Sequence, residues 1–304
     1  MIQKAKTAWE FLAEVFNSWN DDNCFRLSAA LSYYTLFSIA PLFVVVFAVV
    51  GLIYKDQDVS GLIFQNAYNI IGPQAASGLE SMVRNAYIGK PDSLSGWVSV
   101  GVLIFSATVV MTALQGSLNT IFNVRIRADK GLIYFGLSRL LALGMMLIIG
   151  ALLLAVVVVN AIWVAIGDYF SQFLADYAVT LIEAGQLLIG LGTTTLLFAL
   201  LFKYLPDAKI KWKNIWIGAF TTSVLFLIGK YIISFYLGNT NITSLYGAAG
   251  SIILLIVWIN YSSWIFFLGA ELIVVLSRRK GDRIIPSQIA ESYRHVVEMQ
   301  DSWK

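Results

Sequence analysis

The chain has 304 residues, 58% of them hydrophobic and only 13% charged, with a net charge of +3 and a mean hydropathy of +0.75. Soluble domains carry about 25% charged residues, so this composition argues against a soluble fold, and so small a net charge against a general nucleic-acid binder. One cysteine, Cys24, and one histidine, His295, rule out an internal disulfide framework and, in practice, a Cys/His zinc site.

The N-terminus reads as lacking a cleavable signal pattern. Residues 5–20 predict an amphipathic helix: Trp9, Leu12, Ala13 and Phe16 recur at helical spacing, with Lys4, Lys6, Glu10 and Glu14 left to water. Such a helix lies flat on the membrane surface or packs on the loop ends of its own chain. Six long apolar segments follow, at about 27–54, 95–123, 132–166, 179–203, 214–238 and 247–277. A helix needs roughly 20 residues to cross the hydrocarbon core. The third and sixth exceed that and are expected to tilt, kink or project. Pro41 should kink the first. The connection 55–94 holds two apolar helix-like stretches split by Gly72-Pro73, too short to span, and reads as an external helical cap or re-entrant pair.

Positive charge alternates across these connections. Sixteen Lys and Arg residues fall on one side and three on the other, which puts both termini in the cytoplasm. The expected fold is all-α: an amphipathic segment 1–26, a six-transmembrane-helix bundle 27–278 with the external loop 55–94, and a basic cytoplasmic tail 279–304. No internal repeat supports an inverted-repeat architecture.

Polar groups inside a bilayer are costly and call for partners or water. In the second segment Thr108, Thr112, Gln115, Asn119 and Asn123 share one face; in the fourth, Glu183, Gln186, Gly190 and Thr193 share another; the first adds Ser28, Ser32 and Thr35. Such stripes line a hydrated path or join helices by hydrogen bonds worth roughly 1 kcal/mol each. Arg26, Arg139 and Glu271 fall at cytoplasmic depth, so Glu271 is expected to pair with one or both arginines. Lys230 and Glu183 fall in the outer half and form a second expected pair. Asn260, Trp264, Phe267 and Glu271 share a face of the sixth segment. The loop 239–244, rich in hydrogen-bonding side chains, reads as a capped turn or an external mouth. Asp21-Asp22 are adjacent and point different ways on a helix. No phosphate loop or nucleophile elbow is present, and no cofactor is expected.

The run Ala29-Ala30-Leu31-Ser32-Tyr33-Tyr34-Thr35-Leu36-Phe37-Ser38-Ile39-Ala40-Pro41-Leu42 resembles the first-helix motif of the YihY/virulence factor BrkB family. Tyr204-Leu205-Pro206-Asp207 with Trp212 and Gly218-Ala219, then Tyr246-Gly247-Ala248-Ala249-Gly250-Ser251, Trp258, Tyr261-Ser262-Ser263 and Gly269-Ala270-Glu271-Leu272, carry the resemblance to about residue 280. It implies a six-helix inner-membrane protein. Members have been linked to serum resistance, a transport or export role has been proposed, and the family once bore a ribonuclease label. The residues argue against that label: RNA hydrolysis needs metal-binding carboxylates or an acid–base set, and the cytoplasmic loops offer neither. The expectation is a secondary transporter or exporter of a small solute or amphiphilic envelope metabolite, with a non-transporting scaffold or lipid-binding protein as the alternative. Membrane lipids, the transported solute and a second copy of the chain are its expected partners.

Overall fold

A computed structural model describes residues 2–53, 76–77, 94–127, 178–238 and 248–292, with parts of 136–163. Six helices dominate: α1 (Ile2–Asp21), α2 (Cys24–Ile53), α3 (Leu94–Ile121), α4 (Ala178–Tyr204), α5 (Trp212–Gly238) and α6 (Ala248–Arg279). Helix α1 covers the expected amphipathic segment, and α2 to α6 cover five of the six apolar segments to within three residues. Among the described residues, three stretches are long and apolar enough to cross a membrane: Ala184–Tyr204, Trp212–Ile233 and Ile253–Arg279. The third expected segment is described only in part, as a shorter apolar helix over Arg139–Leu152. The external cap, apart from Ala76, Ser77 and Leu94, and the loop 239–247 lie outside the described residues, as does His295.

Helix α6 is the hub, packing against α2, α5, α1 and α3. Its core-facing side chains, Phe266, Phe267, Ala270 and Ile273, meet Phe198, Phe202 and Leu205 of the α4 end and Ile215 and Ala219 of α5. Small residues let α5 and α6 approach: a Cβ added at Gly269 would overlap Thr222 Oγ1, and one at Gly218 would overlap the Ile273 side chain and sit 3.2 Å from the Gly269 carbonyl. That is how apolar helices associate where lipid offers no hydrophobic drive.

Helix α1 packs on its own chain. Val15 and Trp19 are buried, Val15 against Leu272 and Val275 of α6, and Glu14 Oε2 accepts the Arg279 guanidinium at 2.8 Å. Trp9, Leu12 and Phe16, on the adjoining side of the helix, are 74%, 57% and 59% exposed.

The chain is mostly helical, as expected, and among the described residues four short strands add two antiparallel ribbons: β1 (Val124–Ile126) pairs β4 (Ala290–Ser292), and β2 (Ala208–Lys209) pairs β3 (Ile285–Pro286). The start of the basic tail therefore folds back across the connections after α3 and α4. The helix-ending turns leave backbone groups that need partners, and the tail supplies them: Ser287 N–H bonds the Asp207 carbonyl at 2.9 Å and Arg127 N–H the Ile289 carbonyl at 3.1 Å. Side chains fasten the same strap. Buried Asn214 donates to Ser277 Oγ at 3.0 Å and to Asp282 Oδ2 at 2.9 Å, and Lys211 pairs with Asp282.

Candidate functional site

Two polar clusters stand on the bundle at its tail end. The first begins at the α1–α2 turn. Asn23 takes φ 53°, a left-handed conformation that asparagine tolerates better than most residues. Its side-chain amide donates to the Asp21 carbonyl at 3.1 Å. The turn sends the chain into α2 and brings Asp22 and Cys24 up to α6. There the Cys24 thiol donates to Glu271 Oε1 at 3.9 Å, and Asp22 is a neighbouring negative charge that acts on the same carboxyl. Both Cys24 and Glu271 are buried, with Glu271 only 1% exposed. Among the described residues, Glu271 Oε2 has no donor, and the buried Ser28 Oγ, Trp19 Nε1 and Trp264 Nε1 have no partner.

Polar groups continue along the α2–α6 seam. Ser28 lies one turn beyond Cys24. Ser32 Oγ donates to the Ser28 carbonyl at 2.7 Å and takes the Asn260 amide at 3.4 Å. An aromatic chain covers the mouth: Trp19 meets Phe25 and Phe25 meets Trp264, with ring centroids 4.4 and 5.1 Å apart.

The second cluster is the face of α3. Gln115 and Asn119 are buried, and both amides donate to Asp207 Oδ2, at 3.0 and 2.8 Å. The Asp207 N–H returns a bond to Asn119 Oδ1 at 2.8 Å. Burial pushes the Asp207 carboxyl up from its ordinary value, and the two amides pull part of the way back. Of the two readings of this stripe, Gln115 and Asn119 take the hydrogen-bonding one: they clamp the Leu205–Asp207 turn under α3. Thr112 is half-buried, its hydroxyl donating to the Thr108 carbonyl at 2.8 Å.

The expected pairing of Glu271 with Arg139 or Arg26 is not the arrangement formed. Arg139 Nη1 donates to Thr108 Oγ1 at 2.6 Å and the guanidinium lies 4.5 Å from the Phe105 ring centre. Arg26 is exposed in the first turn of α2. The charged groups acting on Glu271 are Asp22 and Arg278. Periodicity along each helix does not fix which helix face lies opposite, and the packing gives these groups different neighbours. Gln186 is exposed on α4 and Lys230 half-buried on α5, while the Glu183 side chain lies outside the described residues. Asp22 and Asp207 were missed as site residues. The signal available was the Asn23 helix break beside a carboxylate, and a carboxylate after Pro206 where a helix must end.

No group of three or more His, Cys, Asp or Glu side chains able to hold a metal ion occurs among the described residues. On the outer side of α4 and α5, Leu188, Leu191, Thr195, Trp216 and Phe220 line an open apolar groove of about 610 Å³.

No solved structure matches the chain. It is 27% identical over 91% of its length to a UPF0761 membrane protein of Psychromonas ingrahamii, covering 90% of that protein. Proteins of the same description from Azotobacter vinelandii and Stenotrophomonas maltophilia are 28% and 30% identical, over 91% and 83% of the chain. Of these longer relatives it spans 65% and 57%. A family model described as virulence factor BrkB matches residues 15–292, a stretch that runs from α1 through β4 and includes both polar clusters; the chain belongs to that family of membrane proteins.

Proposed function

We propose that the protein is a secondary transporter, exporting a small solute or amphiphilic envelope metabolite across the bacterial inner membrane. Six crossings with both termini in the cytoplasm follow from the apolar segments and the distribution of Lys and Arg. The observation that carries the transport reading is Glu271: a carboxyl buried in a membrane-crossing helix, with one oxygen undonated and a seam of Ser28, Ser32 and Asn260 leading away from it. An ionisable group in that position is expensive and marks a functional site by default. No enzymatic step is part of this reading.

The test is reconstitution. Proteoliposomes loaded with a bacterial envelope extract should lose at least one solute faster with the wild-type chain than with Glu271→Gln, as read by mass spectrometry of the external medium. Equal losses from both, and from protein-free vesicles, refute transport.

The α4–α5 groove favours a second reading, in which the chain binds lipid without moving it. An apolar groove of this size suits an acyl chain. Trp216→Ala with Phe220→Ala should then release co-purifying lipid in native mass spectrometry, while Glu271→Gln retains it.

A further inference from the structure

The groove between α4 and α5 lies on two stretches long and apolar enough to cross a membrane, Ala184–Tyr204 and Trp212–Ile233. In a bilayer such stretches are surrounded by acyl chains. The groove's two hydroxyls are turned back on their own helices. Thr195 Oγ1 donates to the Leu191 carbonyl at 2.7 Å and Thr221 Oγ1 to the Ile217 carbonyl at 2.9 Å. Their protons are spent, so a polar solute would lose its hydrogen bonds to water there without replacement, whereas a hydrocarbon chain loses nothing. Gly192 keeps the groove open, since a Cβ added there would meet nothing within 4 Å.

Positive charge stands at one end. Lys213 is exposed on the α5 face that carries Trp216, Ile217 and Phe220, three, four and seven residues further on. It therefore heads the groove at the end where the tail strap crosses. Among the described residues Lys213 is in no ion pair, and Asp282 of the strap is taken by Lys211 and Asn214. Lys203, in the last turn of α4, donates to the Ile210 carbonyl at 2.6 Å and sits 5.5 Å from the Trp212 ring centre. Trp212 in turn stacks on Trp216, with ring centres 6.3 Å apart. An apolar trough thus ends in two lysines and two tryptophans, the side chains that favour the headgroup level of a membrane.

We propose that the groove holds an acyl chain of an anionic phospholipid from the leaflet at the tail end, its phosphate set against Lys213. This rests on the lipid reading of the groove and names its ligand; it does not depend on flux.

The test uses the purified full chain in detergent, titrated with phosphatidylglycerol or with phosphatidylethanolamine of identical acyl chains and read by native mass spectrometry. One lysine beside an anionic headgroup is worth about fivefold in affinity, so phosphatidylglycerol should bind about fivefold more tightly. Lys213→Gln should abolish that preference and Lys213→Arg should keep it. Arg26→Gln removes an exposed charge from α2, which packs against α3 and α6, and should leave the preference intact. Gly192→Trp fills the groove and should weaken binding of both lipids about tenfold or more, with a melting curve to show that it is folded. Trp216→Ala with Phe220→Ala strips the walls and should do the same. Equal affinity for the two lipids overturns the headgroup site, as does a preference that survives Lys213→Gln or is lost equally in Arg26→Gln. If the groove variants still weaken binding, the lipid reading stands without it. Wild-type binding by folded Gly192→Trp sinks both. A lipid-free dimer that Gly192→Trp dissociates would assign the groove to a second copy of the chain and overturn both equally.

Discussion

Replacing Asn119 with alanine tests whether the α3 stripe is a clamp or a path. The side chain makes two bonds to one residue, donating to the Asp207 carboxylate and accepting the Asp207 N–H, both at 2.8 Å. A bond to a charged group contributes roughly 1.5–3 kcal/mol and a neutral one about 1 kcal/mol. Gln115 keeps its own bond to Oδ2, so the carboxylate is not wholly abandoned, and a loss of about 3 kcal/mol is the central expectation. At roughly 2 °C per kcal/mol for a large domain, the melting point should fall by about 6 °C. The assay is thermal unfolding of the purified chain in detergent, followed by size-exclusion fluorescence, alongside flux in liposomes. A clamp predicts a lower melting point, with flux per folded molecule preserved. An Asn119→Ala chain that melts within about a degree of wild type, yet changes flux, would refute the clamp and restore the path.

Three further outcomes follow from the same geometry. Asp207→Asn should be tolerated far better than Asp207→Ala, because its amide oxygen can accept from both Gln115 and Asn119. Because burial raises the folded-state value of Asp207, its contribution to stability is fully present below the ordinary value of 3.8 and fades as pH rises through the raised one. Asp207→Asn should remove that slope from melting point against pH, and an unchanged slope refutes the assignment. Gly269→Ala should lower stability by about 1–3 kcal/mol, since the new methyl overlaps Thr222 Oγ1. Adding Thr222→Ala should recover most of the loss in the same melting assay, and failure to recover would place the strain elsewhere. Cys24 is fully buried, so maleimide should label it only after unfolding; rapid labelling of the folded chain would contradict the packing of α2 on α6.

The helices were legible because their signal is one-dimensional. Run length and hydropathy place α2, α3, α4, α5 and α6 without any knowledge of neighbours, and the same signal covers the third segment. The tail was not legible as a strap. Ala290–Ser292 has no strand character of its own and is extended because Val124–Ile126, ending a helix connection, offers unpaired backbone opposite it. Glu271 was found by its cost: a carboxylate in an apolar run stands out wherever it points. Its partners were not found, because helical periodicity gives depth and face but not which face of which helix lies opposite. Arg139 bonds Thr108 instead.

The two polar stripes look alike in sequence, and what separates them is a turn. Gln115 and Asn119 face Asp207, a charged group delivered by the short connection after α4, and their donors are consumed there. Ser28 and Glu271 lie on α2 and α6, whose seam is bridged by the Cys24 thiol on Glu271 Oε1 and the Asn260 amide on Ser32 Oγ. A stripe met by a complementary group closes into structure. On the α2–α6 seam Glu271 Oε2 and Ser28 Oγ are left without a partner among the described residues, and that is why the proposed transport role is assigned to this seam and not to the α3 face.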